Sequence, residues 1–301
     1  MGGFFQELAK TLANRWLSLL VLPGAFFLGT VWVAVTLGQS HPWDARLLAD
    51  HADRTAASIS GLPAGAQLLL AVAVLAAASG TGLVAQALAG VTRRVWLGLW
   101  PVPFRGFGAA RTARRRTRWH RLVEARRALE RTGTRTPERQ QEINAAADRA
   151  NRLALAEPGR PTWMGDRIHA VESVAVHRYG LDLTFTWPRL WLVLPEPTRA
   201  ELTAAHATFA AAVATGTWAL PYLILTAFWW PALLVAAGIG TTGWARARAA
   251  IADLSTLTEA TVDLHGRTLA AALGVRDASA GTTPLTLDEG EQITDLTRKG
   301  R

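Results

Sequence analysis

Gln67-Leu-Leu-Leu-Ala-Val-Ala-Val-Leu-Ala-Ala-Ala-Ser-Gly-Thr-Gly-Leu-Val-Ala-Gln-Ala-Leu-Ala-Gly-Val91 runs without a charged residue and is followed at once by Arg93-Arg94. A bilayer's hydrocarbon core is ~30 Å thick and takes about 20 apolar helical residues to cross. This stretch therefore reads as a transmembrane helix. Its small residues, Ser79, Gly82, Ala85, Ala89 and Gly90, recur near helical spacing and permit close helix approach. Trp96, Trp100 and Phe104 follow on the arginine side, where aromatic rings suit the lipid headgroups.

Upstream, residues 17–38 form a second uncharged run, which Pro23-Gly24 is expected to kink. A cleaved signal peptide is the competing reading, but the run is long and no small-residue cleavage site follows it. Residues 1–16 place Phe4, Phe5, Leu8, Leu12 and Trp16 on one side, as in a helix lying in the membrane interface. Between the two spans, residues 39–66 carry Asp44, Asp50 and Asp53 against Arg46 and Arg54 and read as a solvated outer loop.

Downstream the charge balance changes. From Arg93 to Ala205 there are 21 arginines against 11 acidic residues, whereas the outer loop has two against three. The positive-inside bias assigns the basic block, and the amino terminus with it, to the cytoplasmic side. Residues 206–244 are again nearly continuous in apolar character, enough for two limbs joined by a turn at Pro221-Tyr222 or at Phe228-Trp-Trp-Pro231. The expected organisation is an interfacial helix over 1–16, a first transmembrane hairpin over 17–92 and a basic cytoplasmic helical domain over 93–204. A second transmembrane hairpin over 205–245 and cytoplasmic C-terminal helices over 246–301 complete it. The fold class is all-α: a polytopic membrane protein with about four transmembrane helices in two hairpins and a cytoplasmic helical domain.

Within the basic block, Ala109 to Arg131 reads as a helix ended by Thr132-Gly133, and Thr136-Pro137 offers an N-cap and a first-turn proline for the next. The two are expected to form an antiparallel hairpin. Arg114, Arg115, Arg116, Arg118 and Arg121 cover its outer side and are candidates for anionic lipid headgroups. Thr162 caps a helix running to Tyr179, with Gly180 as its stop. A short helix from Trp187 to Leu194, capped by Thr186, is expected after an extended turn. Thr198 begins the helix that enters the third apolar block. Residues 249–274 read as a further helix, and Thr286 with Glu289 has the spacing of a capping box before the last one.

The composition excludes several chemistries. There is no cysteine, so disulfides and thiolate catalysis or ligation do not arise. No nucleophile motif, phosphate loop, dinucleotide fingerprint or zinc helix is present. Asp166, His169, Glu172 and His177 share one predicted helix, but His177 sits well around the turn from His169, so one helix cannot offer all four to a metal. No catalytic, cofactor or metal residue is assigned. The expected spans hold no acidic or basic residue, which weighs against an ion-coupled transporter. The net charge of +9 suits an anionic lipid surface better than nucleic acid, because the basic residues adjoin apolar spans.

The better cluster lies at the membrane side of the basic block. Arg178, Asp182, Arg189, Asp263 and His265 are expected to pair across two segments as a clasp, with Tyr179, Trp187 and Trp191 beside them. The order Pro161-Thr162…Gly165, Arg178-Tyr-Gly-Leu-Asp182, Trp187-Pro-Arg-Leu-Trp191, Leu194-Pro195, Asp263-Leu-His265 and Pro284…Glu289 resembles a family of bacterial multi-pass membrane proteins of uncharacterised activity. Its members often read Asp-Leu-His-Arg where Gly266 here stands in place of the arginine. The resemblance implies a bacterial inner-membrane location. The function expected is a non-enzymatic anchor or scaffold that recruits a cytoplasmic protein, with self-association open. The alternative is an oligomeric channel or membrane-permeabilising effector.

Overall fold

Every regular element among the described residues is helical, and side-chain caps from Asp44, Thr136, Thr162, Asp182 and Thr286 set five of the helix starts. A computed structural model describes residue 7 and residues 21–131, 136–277 and 283–299. The expected interfacial helix over 1–16 and the start of the first span lie outside these, apart from Glu7. In chain order the helices are α1 (Leu22–Leu37), α2 (Ala45–Ser60), α3 (Ala64–Trp96), α4 (Arg105–Arg131), α5 (Pro137–Leu153) and α6 (Trp163–Tyr179). They continue as α7 (Leu183–Val193), α8 (Glu196–Thr217), α9 (Ala219–Leu225), α10 (Ala232–Ala272) and α11 (Leu287–Arg298). Two stretches, Ala64–Trp96 and Glu196–Leu225, are long and apolar enough to cross a membrane, and Leu22–Leu37 is a shorter apolar helix.

The chain divides into two compact units, residues 1–92 with 211–245, and residues 93–210 with 246–301. In the first, glycines set how close the helices come. A Cβ on Gly24 would lie 2.0 Å from the Ala78 carbonyl oxygen, and one on Gly243 would lie 2.5 Å from the Gly216 backbone, so neither position has room for a larger residue. Phe27 meets Tyr222 edge-on at 5.2 Å. Ala34, Leu37, Leu225, Trp229 and Ala232 form a buried cluster with Leu47 and Leu48 packed against it. Gln39 Nε2 donates to the carbonyls of Thr226 and Ala227, and Trp229 Nε1 donates to Pro42 O. By contrast, the flank of α3 that carries Leu68, Leu69 and Val84 is exposed.

Several local expectations change. The outer loop contains α2, because Asp44 accepts from the N–H groups of Arg46 and Leu47 and caps a helix whose Leu47 and Leu48 reach the buried cluster. Of the two turns considered for the third apolar block, the chain leaves helix after Leu225 and resumes at Ala232, around Phe228-Trp-Trp-Pro231. No break precedes Ala249: α10 runs unbroken through Ala-Arg-Ala-Arg-Ala-Ala, all strong helix formers. The short helix expected at Trp187 begins four residues earlier, at Leu183. Asp182 caps it by accepting from Thr184 N, while the Thr186 hydroxyl donates to Asp182 O inside the helix.

In the second unit, α4 and α5 pack as the expected antiparallel pair. Leu190 of α7, Leu202 of α8, Ile251 and Leu269 of α10 and Ile293 of α11 are fully buried, as is Leu181 between α6 and α7. Thr162 caps α6 as expected and its hydroxyl also donates to Trp96 O, while Gly180 stops the helix at φ +66°. Thr286 and Glu289 form the full capping box of α11.

Candidate interaction site

The side chains singled out near residues 178–191 and 263–265 sit on α6, on α7 and on the second half of α10. Tyr179, the last residue of α6, is buried and donates its hydroxyl to Asp263 Oδ1 at 2.5 Å. Burial, then this bond to an anionic acceptor, push the Tyr179 phenol up to about 12. The Arg178 guanidinium lies 5.1 Å over the same ring. Glu259 stands one turn before Asp263 and its carboxyl is raised, chiefly by burial and then by Asp263, with Arg167 acting against them. Val171, Val174 and Val262 close a void of about 40 Å³ around these groups.

The clasp is thus made by other pairs than those expected. Arg189 turns back on its own helix, its Nη1 donating to Phe185 O at 2.6 Å, and does not reach Asp263. Asp182 is directed to the last helix: Arg298 approaches its Oδ2 at 3.4 Å and lies 5.6 Å over Phe185. His265 is half-buried on α10. Trp187 and Trp191 are 6.4 Å apart along α7, and Trp187 also lines a larger cavity.

The tightest junction was not among the expected residues. Gly290 of α11 lies so near the Tyr179 carbonyl that a Cβ would sit 1.5 Å from its oxygen, and a Cβ on Gly180 would sit 2.6 Å from Leu287 O. Thr294 donates its hydroxyl to Gly180 O and accepts from Asp182 N. Arg276 pairs with Glu289 at 2.6 Å, in contact with the capping box, and holds that carboxyl down to about 2. A glycine inside a helix is unfavourable unless something needs the space, and that signal was present in Leu-Asp-Glu-Gly290.

Asp166 has a structural place. It is 2 % exposed, its Oδ2 accepts from Arg115 and its Oδ1 accepts from Gly159 N and Arg160 N at 2.9 and 2.7 Å. Arg115 also donates to Leu153 O, so one ion pair ties α4, the end of α5, the following loop and α6. His169 lies 3.9 Å from Glu172, and His177 bonds to Ser173 O, so the four acid and histidine groups are dispersed. Of the five α4 arginines singled out for anionic lipid, Arg115 is engaged by Asp166 and Arg116 by Glu157. Arg114, Arg118 and Arg121 are exposed along one stripe and make no ion pair among the described residues. Exposed Phe104 and Phe107 adjoin that stripe at the helix start, with Trp100 stacked on Phe107 at 5.5 Å.

Compared with known protein families, with curated proteins and with solved structures, the chain matches none.

Proposed function

We propose that the chain is a bacterial inner-membrane anchor with four spans and both ends in the cytoplasm, which presents a basic helical platform and recruits a cytoplasmic protein to it. The observation that carries this reading is the contrast along α3. Its apolar stretch keeps large leucines and valines exposed, as a lipid-facing helix does, and then ends in Arg93-Arg94, where the arginine-rich sequence begins. Residues 17–38, 67–91 and the two limbs on either side of Phe228–Pro231 are the spans. Arg114, Arg118 and Arg121, with Phe104 and Phe107, are suited to an anionic headgroup layer, since charge and inserted rings act together there. The platform's work is binding: the side chains gathered at α6, α10 and α11 fasten helices and present no nucleophile with its base.

The absence of native cysteine makes the topology directly testable. Single variants Ser58→Cys and Arg118→Cys are exposed to a membrane-impermeant maleimide, first on intact spheroplasts and then after permeabilisation. Ser58→Cys is expected to label in both and Arg118→Cys only after permeabilisation; labelling of Arg118→Cys on intact cells overturns the reading. Co-purification of a cytosolic protein from native membranes is expected, and ion conductance of vesicles holding the pure chain would instead favour a pore.

A further inference from the structure

Unit two also holds a cavity of about 430 Å³ between α6, α7, α8 and α10. This is within the size range of small-molecule sites, ~300–1,000 Å³. Ile168, Val171, Leu183, Trp187, Ile251 and Leu254 supply most of its wall. Three of the polar side chains on the wall, Ser255, Thr258 and His206, have a proton committed to a carbonyl of their own helix. Ser255 donates to Ala252 O and accepts from Arg167 Nε; Thr258 donates to Leu254 O. His206 has Nδ1 2.9 Å from Leu202 O, which makes Nδ1 the donor and leaves Nε2 of the neutral ring as an acceptor. Pro188 has no N–H, so the carbonyl of Thr184, also on the wall, lacks its helical donor.

The single formal charge on the wall is negative. Glu172 is approached by Arg160 at 3.7 Å and His169 at 3.9 Å, both too long for a hydrogen bond, so its half-exposed carboxylate keeps acceptor capacity. No lysine or arginine lines the cavity; the side-chain donors there are the Thr184 hydroxyl and the Trp187 ring N–H. An anionic or acceptor-rich ligand would leave these acceptors desolvated without partners, which is unfavourable for each group. A ligand with an apolar body and a delocalised positive charge meets the opposite situation: apolar wall for its body, an indole ring and a carboxylate for its charge.

We infer that this cavity is a binding site for lipophilic organic cations, with Glu172 and Trp187 as the charge-recognising residues. The site gives the platform a small-molecule input separate from the arginine stripe on α4.

The test titrates the full chain in a neutral maltoside detergent with tetraphenylphosphonium and, separately, with tetraphenylborate, an anion of the same shape. Saturable phosphonium binding is expected. Glu172→Gln is expected to weaken it about three- to fivefold, as removal of one partly exposed ionic partner does. Thr258→Phe, which fills the cavity from a half-buried position, is expected to abolish it. Both variants should keep the parent melting temperature, and neither should change any binding of the borate. Absence of saturable phosphonium binding, phosphonium affinity unmoved by both substitutions, or borate affinity lost together with phosphonium affinity in Thr258→Phe would each overturn the assignment.

Discussion

Asp166 is 2 % exposed and carries its charge into the interior beside Arg115. In the chain it stands with His169, Glu172 and His177 and suggests metal or acid–base work; in the fold it is the buried acceptor of Arg115, Gly159 N and Arg160 N. Its partner lies 51 residues away, and no spacing rule brings an arginine on α4 to it. Breaking a buried ion pair leaves the other charge without a counter-ion, at about 3 kcal/mol. Asp166→Ala is expected to lose about that much stability in guanidinium titrations followed by tryptophan fluorescence. The Tyr179–Asp263 bond is the better-read case, since both motifs were singled out, yet the arginines expected to serve Asp263 go elsewhere. The phenol at about 12 stands above its ordinary 10, so its contribution is complete below pH 10 and is lost as pH rises through about 12. Alkaline titration of tyrosinate absorbance should show a late phenol step that Tyr179→Phe removes.

At the level of elements, caps were the most legible feature and tertiary demands the least. Thr136, Thr162, Gly180 and the Thr286–Glu289 box act where their spacing indicates, because each satisfies backbone groups within a few residues. The start of α7 was misplaced because Thr186 reads as a cap, whereas its hydroxyl donates to Asp182 O inside the helix and Asp182, one turn earlier, caps by accepting from Thr184 N. The long α10 and the short α2 were missed for a related reason: alanine-rich arginine sequence continues a helix as readily as it ends one, and a polar helix with two part-buried leucines resembles a loop. The seat of α11 is the element most open to test. Gly290→Ala places a methyl against the Tyr179 carbonyl, and backbone cannot yield as a side-chain end does, so α11 should detach. Limited proteolysis is expected to cut before residue 287 in the variant and not in the parent. The same seat responds to acid. Arg276 depresses the Glu289 carboxyl from 4.5 to about 2, so its stabilisation is present above pH 4.5 and disappears as pH falls through about 2. Amide hydrogen exchange in α11 should rise across that window, and Glu289→Gln should exchange fast at neutral pH as well.

For the molecule as a whole, two forces act toward a bilayer and they differ in how salt affects them. On the proposed reading the exposed arginines of α4 would be drawn to anionic headgroups, and about 1 M salt shortens the Debye length to ~3 Å, which screens such contacts. Apolar surface is insensitive to that change, and α3 exposes Leu68, Leu69, Leu83 and Val84 along one stretch. The uncharged runs were legible because membrane crossing demands a long, unbroken composition; the number of helices long enough to meet it, two among the described residues, depends on where breaks such as Phe228–Pro231 fall. A protein held by its arginines alone would leave the membrane fraction in a high-salt wash. The chain is expected to remain in the pellet after washes in about 1 M salt and to enter solution only with detergent. The triple variant Arg114→Glu, Arg118→Glu and Arg121→Glu should behave the same, because its anchorage is the uncharged helices. Release of either form by salt would mean that the exposed leucines of α3 face protein and not lipid, and that the arginine stripe is the anchor.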